Sequence, residues 1–136
     1  MNLYNWFKNL LGAESTPEKQ SQEFAGVVVG KILEIQKHPN ADRLQVTKTD
    51  IGKEVLQIVC GAKNIEVGQN VPVATVGTKL PGGIEIKEAE IRGEKSFGML
   101  CAKDELGLGE DHSGIFILDE KAEIGIEFAK YLNLNK

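Results

Sequence analysis

Apolar residues change their period twice along this chain. In "MNLYNWFKNLLG", Leu3, Phe7, Leu10 and Leu11 fall at i, i+4, i+7 and i+8 with Gly12 as a stop, which predicts a short amphipathic helix. "AESTPEKQSQE" carries Pro17 in a polar run and predicts a linker, so the folded body is expected to begin near Phe24. From there β-branched residues and partial alternation take over in "FAGVVVGKILEIQ", "RLQVTKTD", "VLQIVC", "VPVATV", "IEIKEAEIRG", "SFGMLCA" and "GIFIL". Turn chemistry separates them: Pro39, Asn40 and Asp42 in "HPNAD", and the Pro-Gly step of "LPGG". About seven short strands at this spacing predict a small barrel or sandwich. In the last segment, "AEIGIEFAKYLNLNK", Ile124, Phe128, Tyr131 and Leu132 share one helical face, which predicts a helix docked on the body or paired with the N-terminal one. The organisation expected is thus helix and linker over 1–23, a β body over 24–120 and a docking helix over 121–136.

With 136 residues the chain is long enough for one domain with a sizeable core and too short for two ordinary ones. No apolar run approaches the ~20 residues that cross a bilayer, and the N-terminus lacks the order of a signal peptide, so a cytoplasmic chain is expected. Cys60 and Cys101 lie far apart with no Cys/His cluster around them, and are expected to be reduced, buried thiols rather than metal ligands. The net charge of −4 disfavours bulk non-specific nucleic-acid binding. Its distribution qualifies that: residues 27–103 carry 11 basic and 9 acidic side chains, whereas residues 104–136 carry 3 and 8. A mildly basic middle precedes an acidic tail.

Little in the chain points to catalysis. "EDHSG" brings together Asp111, His112 and Ser113, but neighbours on an extended chain point to opposite sides and a working triad is assembled from separated segments. It reads instead as a polar turn in which Asp111 and Ser113 bond the backbone. Phosphate-loop, dinucleotide and zinc patterns are absent, and no cofactor is expected. What remains is a barrel with bases in and beside its strands: Lys31, Lys37, Arg43, Lys48, Lys63, Lys87, Arg92, Lys95 and Lys103. Such groups are what phosphate contacts need, but by charge alone the interspersed acids favour a solvated face over a binding one.

Three blocks go further: "KHPNADRLQVTKTDIG", "LQIVCGAKNIEVGQNVPVATVGTKLPGG" and "AEIRGEKSFGMLCAKDELGLGEDHSGIFIL". Nearly continuously from Phe24 to Leu118 they resemble the tRNA-binding domain found near the N-terminus of the bacterial phenylalanyl-tRNA synthetase β subunit and in free-standing tRNA-binding proteins. The resemblance implies a mainly β OB-fold, a five-stranded barrel with extra short strands and short terminal helices, that binds tRNA by shape and backbone. The family's His-Pro-Asn-Ala-Asp turn falls on His38 to Asp42, with Arg43 next. Its Arg-Gly-x-x-Ser-x-Gly-Met motif falls on Arg92, Gly93, Ser96, Gly98 and Met99.

On that resemblance the expected RNA-binding set is Lys31, Lys37, His38, Asn40, Arg43, Lys48, Lys87, Arg92, Ser96, Met99 and Lys103. Arg92 would clamp a phosphate and Ser96 would donate to a phosphate or 2′-hydroxyl, while Met99 fits core and contact alike. Glu88 and Glu90 stand where the family pattern has lysine, so the expectation is either a low tRNA affinity or a contact surface moved towards Lys31, Lys37, Arg43 and Lys48. The function expected is a non-catalytic tRNA-binding module, free-standing or part of a synthetase β subunit, with synthetase subunits as further partners. The alternative is a protein assembly module with weak or lost tRNA binding, favoured by Glu88, Glu90 and the acidic tail, with a homodimer through the N-terminal helix or the barrel. Membrane attachment is disfavoured, because the N-terminal helix offers only Lys8 as a positive charge.

Overall fold

Alternating β-branched residues between 27 and 60 build three consecutive antiparallel strands, β1 (Val27–Lys37), β2 (Gln45–Asp50) and β3 (Val55–Cys60), in a computed structural model that describes residues 24–134. β4 (Asn70–Thr75), β5 (Ala89–Ile91), β6 (Glu94–Ser96) and β7 (Gly98–Leu100) follow, then a 3₁₀ turn at Asp104–Leu106 and a helix, α1 (Phe128–Leu134). The helix expected before residue 12, and the dimer contact assigned to it, lie outside the described residues.

The main sheet runs β3-β2-β1-β4-β7, all antiparallel, and its two ends approach each other. Phe97 N–H donates to the Gln57 carbonyl at 2.8 Å, and Val59 N–H donates to Ser96 Oγ at 3.0 Å. These contacts nearly close a five-stranded barrel of the OB type, with the β5–β6 hairpin added at the seam. β1 serves two partners because it bends: Val27–Lys31 pairs with β4, Lys31–Lys37 with β2, and the β2 register shifts between Ile32 and Glu34. Gly30 permits the bend, since a Cβ there would lie 2.7 Å from Val73 Cγ2 and 3.0 Å from Thr49 Cγ2.

One cluster of buried side chains, Ile32, Ile58, Cys60, Val71, Val73 and Leu100, fills the barrel. Thr47 is buried with them and spends its hydroxyl on the Ile58 carbonyl at 2.9 Å. A second cluster lies against the other side of β1, β4 and β7 and is organised by Phe128, whose ring meets Phe24 at 5.2 Å and Phe116 at 6.2 Å edge-on and stacks on Tyr131 at 6.0 Å. Both cysteines are buried thiols.

Three predicted elements come out differently. The helix starts only at Phe128, because residues 124–127 run along β1 first: Gly125 N–H donates to the Val29 carbonyl and Val29 N–H to that of Ile126. "IEIKEAEIRG" is not one strand. Its first half folds back as a small hairpin, with Leu80 N–H on the Ile84 carbonyl and Ile86 N–H on that of Thr78, leaving only Ala89–Ile91 for β5. "GIFIL" is extended without forming a full ladder, since the Asn64 side-chain amide takes both the N–H and the C=O of Ile115 at 2.9 Å.

Candidate nucleic-acid interface

The turn after β1 is held from within and from across the barrel. His38 N–H donates to the Leu44 carbonyl, and its ring, only 2 % exposed, accepts from Asn40 N–H at Nδ1 (2.9 Å). Nε2 therefore carries the proton and donates to the Ile91 carbonyl at 2.8 Å. Two residues on, Asn40 Nδ2 donates to the Arg92 carbonyl at 3.0 Å and Arg92 Nη1 donates back to the Asn40 carbonyl at 3.3 Å. Arg92 and Gly93 form a two-residue turn between β5 and β6 with φ of 49° and 93°, a left-handed pair that suits the twist of a hairpin. A non-glycine residue there costs about 1 kcal/mol or more, and the stitches to His38 and Asn40 offset it. The two family blocks are thus locked together as one rim.

This arrangement corrects three expected contacts. His38 is a buried internal brace rather than an exposed side chain. Ser96 is fully buried and closes the barrel, accepting from Val59 N–H and donating to the Gly98 carbonyl, so its hydroxyl faces no solvent. Met99 belongs to the core at 1 % exposure. Asn40 and Arg92 are exposed, but both hold the rim as well as face outward. Lys87 is exposed just before β5, and Lys103 is exposed with its ammonium 4.9 Å above the Phe116 ring. Lys31 is half-buried in β1, opposite Asp50 of β2 and Asn70 of β4.

Two concave surfaces gather the remaining bases. At the end of β1 and β2, Lys37, Arg43 and Lys63 surround a hollow of about 350 Å3 floored by Ile35, Leu44, Gln45 and Ala62, with Asp42 as its single acid. Gln45 Oε1 is buried there without a partner among the described residues. On the outer face of β2 and β3 a groove of about 610 Å3 runs beside the hairpin, lined by Lys48, Gln57, Lys95 and Phe97 with Val55, Leu56, Glu54 and Glu94. Gln57 ties it together, accepting from Lys48 Nζ at 2.8 Å and donating to the Lys95 carbonyl at 2.8 Å. Glu90 stands directly opposite Lys95 in the hairpin, so part of that lysine's charge is offset locally.

Lys63 and Lys95 are visible in the sequence as bases, but their place in a site is not. Gln57 and Phe97 carry no sequence signal for one. Only the register that puts Gln57 opposite Lys48, and the bond from Phe97 to Gln57, brings them there.

The triad types in "EDHSG" do not form a triad. Asp111 Oδ1 accepts from the N–H and the hydroxyl of Ser113 at 3.0 and 2.6 Å, while His112 Nδ1 faces the Glu110 carbonyl at 3.3 Å. These bonds from Ser113 hold the Asp111 carboxyl below its ordinary value of 3.8, as a fixed turn would. Among the described residues no three metal-ligating side chains gather, and no helix is long and apolar enough to cross a membrane.

Residues 27–127 match a family model described as "Putative tRNA binding domain". A phenylalanine–tRNA ligase beta subunit of Aromatoleum aromaticum is 54 % identical over 113 residues, covering 82 % of this chain and 14 % of the relative. That of Chlorobaculum tepidum is 55 % identical over 111 residues, covering 78 % and 14 %. The chain therefore spans about 14 % of the length of these relatives. Among solved structures, the C-terminal domain of Plasmodium vivax p43 superposes with a TM-score of 0.56 at 25 % identity, over 77 % of this chain and 59 % of that one.

Proposed function

The chain belongs to this tRNA-binding domain family, homologous to the corresponding region of the phenylalanyl-tRNA synthetase β subunit, and from that premise we propose how it holds tRNA. The role is binding rather than catalysis. The observation that carries the reading is the convergence of Lys37, Arg43 and Lys63 on one hollow. Three cations around a single concavity suit phosphate oxygens, and Asn40 and Arg92 on the braced rim extend the same polar surface. The groove beside the hairpin adds Lys48 and Lys95, with Phe97 as an apolar wall against which a sugar or a base edge can rest. None of these contacts reads a base sequence, so recognition follows the fold of the RNA.

Glu88 and Glu90 are exposed on the hairpin, away from the hollow's lining, which leaves the hollow as the main anchor. In a longer synthetase β subunit this module would steer tRNA towards the complex, and association with synthetase subunits belongs to that reading.

Competition tests it. Unlabelled folded tRNA should displace labelled tRNA at about tenfold lower concentration than an unstructured RNA of equal length. Equal displacement by the two would show that charge alone, without shape, accounts for binding.

A further inference from the structure

A third concave surface, with the opposite charge, lies between the loop that enters β4 and the segment 115–120. Glu66, Val67, Gln69, Asn70, Ile117 and Glu120 are its principal lining residues, and no lysine or arginine lines it. Its volume is about 550 Å3. Two apolar side chains stand out of it unusually far, Val67 at 61 % and Ile117 at 38 % exposure.

Backbone and side-chain groups there are left over. Phe116 N–H and Leu118 N–H turn inward to the carbonyls of Cys101 and Asn70. By the alternation of an extended chain, the N–H and C=O of Ile117 face away from the barrel, and among the described residues no hydrogen bond engages them. Asn70 is 2 % exposed, and its Nδ2 donates to the carbonyls of Asp119 and Glu120 at 3.0 and 3.1 Å, which fixes the orientation of the amide. Its Oδ1 is buried without a partner among the described residues. The groove thus has an open strand edge at Ile117, two exposed apolar side chains and two carboxylates, Glu66 and Glu120, in its lining.

We propose that this groove docks an extended segment of a partner protein carrying lysine or arginine between apolar residues. The segment adds along Ile117 by main-chain hydrogen bonds, its apolar side chains rest on Val67 and Ile117, and its cations meet Glu66 and Glu120. An RNA phosphate is repelled by the same carboxylates, so this surface and the basic hollow take different partners.

The test uses the full chain, ¹⁵N-labelled, and two blocked hexapeptides, one alternating valine with lysine and the other valine with glutamate. The lysine peptide at about millimolar concentration should shift the amides of residues 66–70 and 115–120 and slow exchange of the Ile117 amide proton. The glutamate peptide should bind at least about tenfold more weakly, and a Glu66→Lys/Glu120→Lys variant should lose about tenfold in affinity for the lysine peptide. Both residues are exposed, so the variant should keep the wild-type spectrum elsewhere. Absence of shifts, equal response to both peptides, or shifts centred on other residues would overturn the proposal. Concentration-dependent shifts of the same amides without peptide would also overturn it, in favour of pairing between two copies.

Discussion

Replacing Arg43 and Lys63 together by glutamate should lower tRNA affinity by roughly 10²–10⁴-fold while leaving thermal stability within about 0.5 kcal/mol of wild type. Each residue is exposed at the hollow, so neither holds the core. A hydrogen bond to a charged partner contributes about 1.5–3 kcal/mol, and two are lost. The salt dependence should change as well: each phosphate contact removed lowers the slope of log affinity against log salt by about 1, so the double variant should lose about 2. Filter binding or fluorescence anisotropy at several salt concentrations reads both quantities. If the double variant binds like wild type while Lys48→Glu/Lys95→Glu loses affinity, the groove beside the hairpin is the anchor and the hollow is not.

Phe128→Ala should cost about 3–5 kcal/mol of folding stability. Phe128 is fully buried and touches three aromatic rings, and its helix is joined to the barrel by the run of residues 124–127 along β1. A domain of this size is held by about 5–15 kcal/mol in all, so a single truncation here takes a large share of it. Tyr131 should loosen with it, because its hydroxyl accepts from Asp119 N–H at 3.1 Å and its ring stacks on the one removed. Urea denaturation reads the loss as a lower midpoint at unchanged slope. A cost below about 1 kcal/mol would mean that the aromatic cluster contributes little.

The barrel was largely legible from local pattern. Alternation in "VVVGKILEIQK", "QVTKTD" and "VLQIVC" marks β1 to β3, because their ladders join neighbours in the chain and each strand shows one face to the interior. Partners distant in sequence were not legible. Ser96 reads as an exposed donor until Val59, 37 residues away, is seen to use it, and His38 reads as a ligand until its ring is seen to brace Ile91 across 53 residues. "IEIKEAEIRG" alternates well enough for one long strand, yet pairing of Ile84 and Ile86 with the chain before them wins locally. The site divides in the same way. Lys37 and Arg43 are close in sequence and flank a recognisable turn, whereas Lys63 reaches them only through the register of β3 on β2. The acidic groove had no signal, because Val67 and Ile117 become an exposed pair only when β4 brings their segments together.

On the proposed reading tRNA is held through phosphate contacts to Lys37, Arg43, Lys63, Lys48 and Lys95. Titrating labelled tRNA with the full chain across salt tests it most directly. Five contacts predict a log–log slope of about −3.5 to −4.5, a fall in affinity of roughly 100- to 500-fold between about 50 and 200 mM salt. An affinity that stays flat across that range, or no binding at its low end, would rule out anchoring of tRNA by these phosphate contacts.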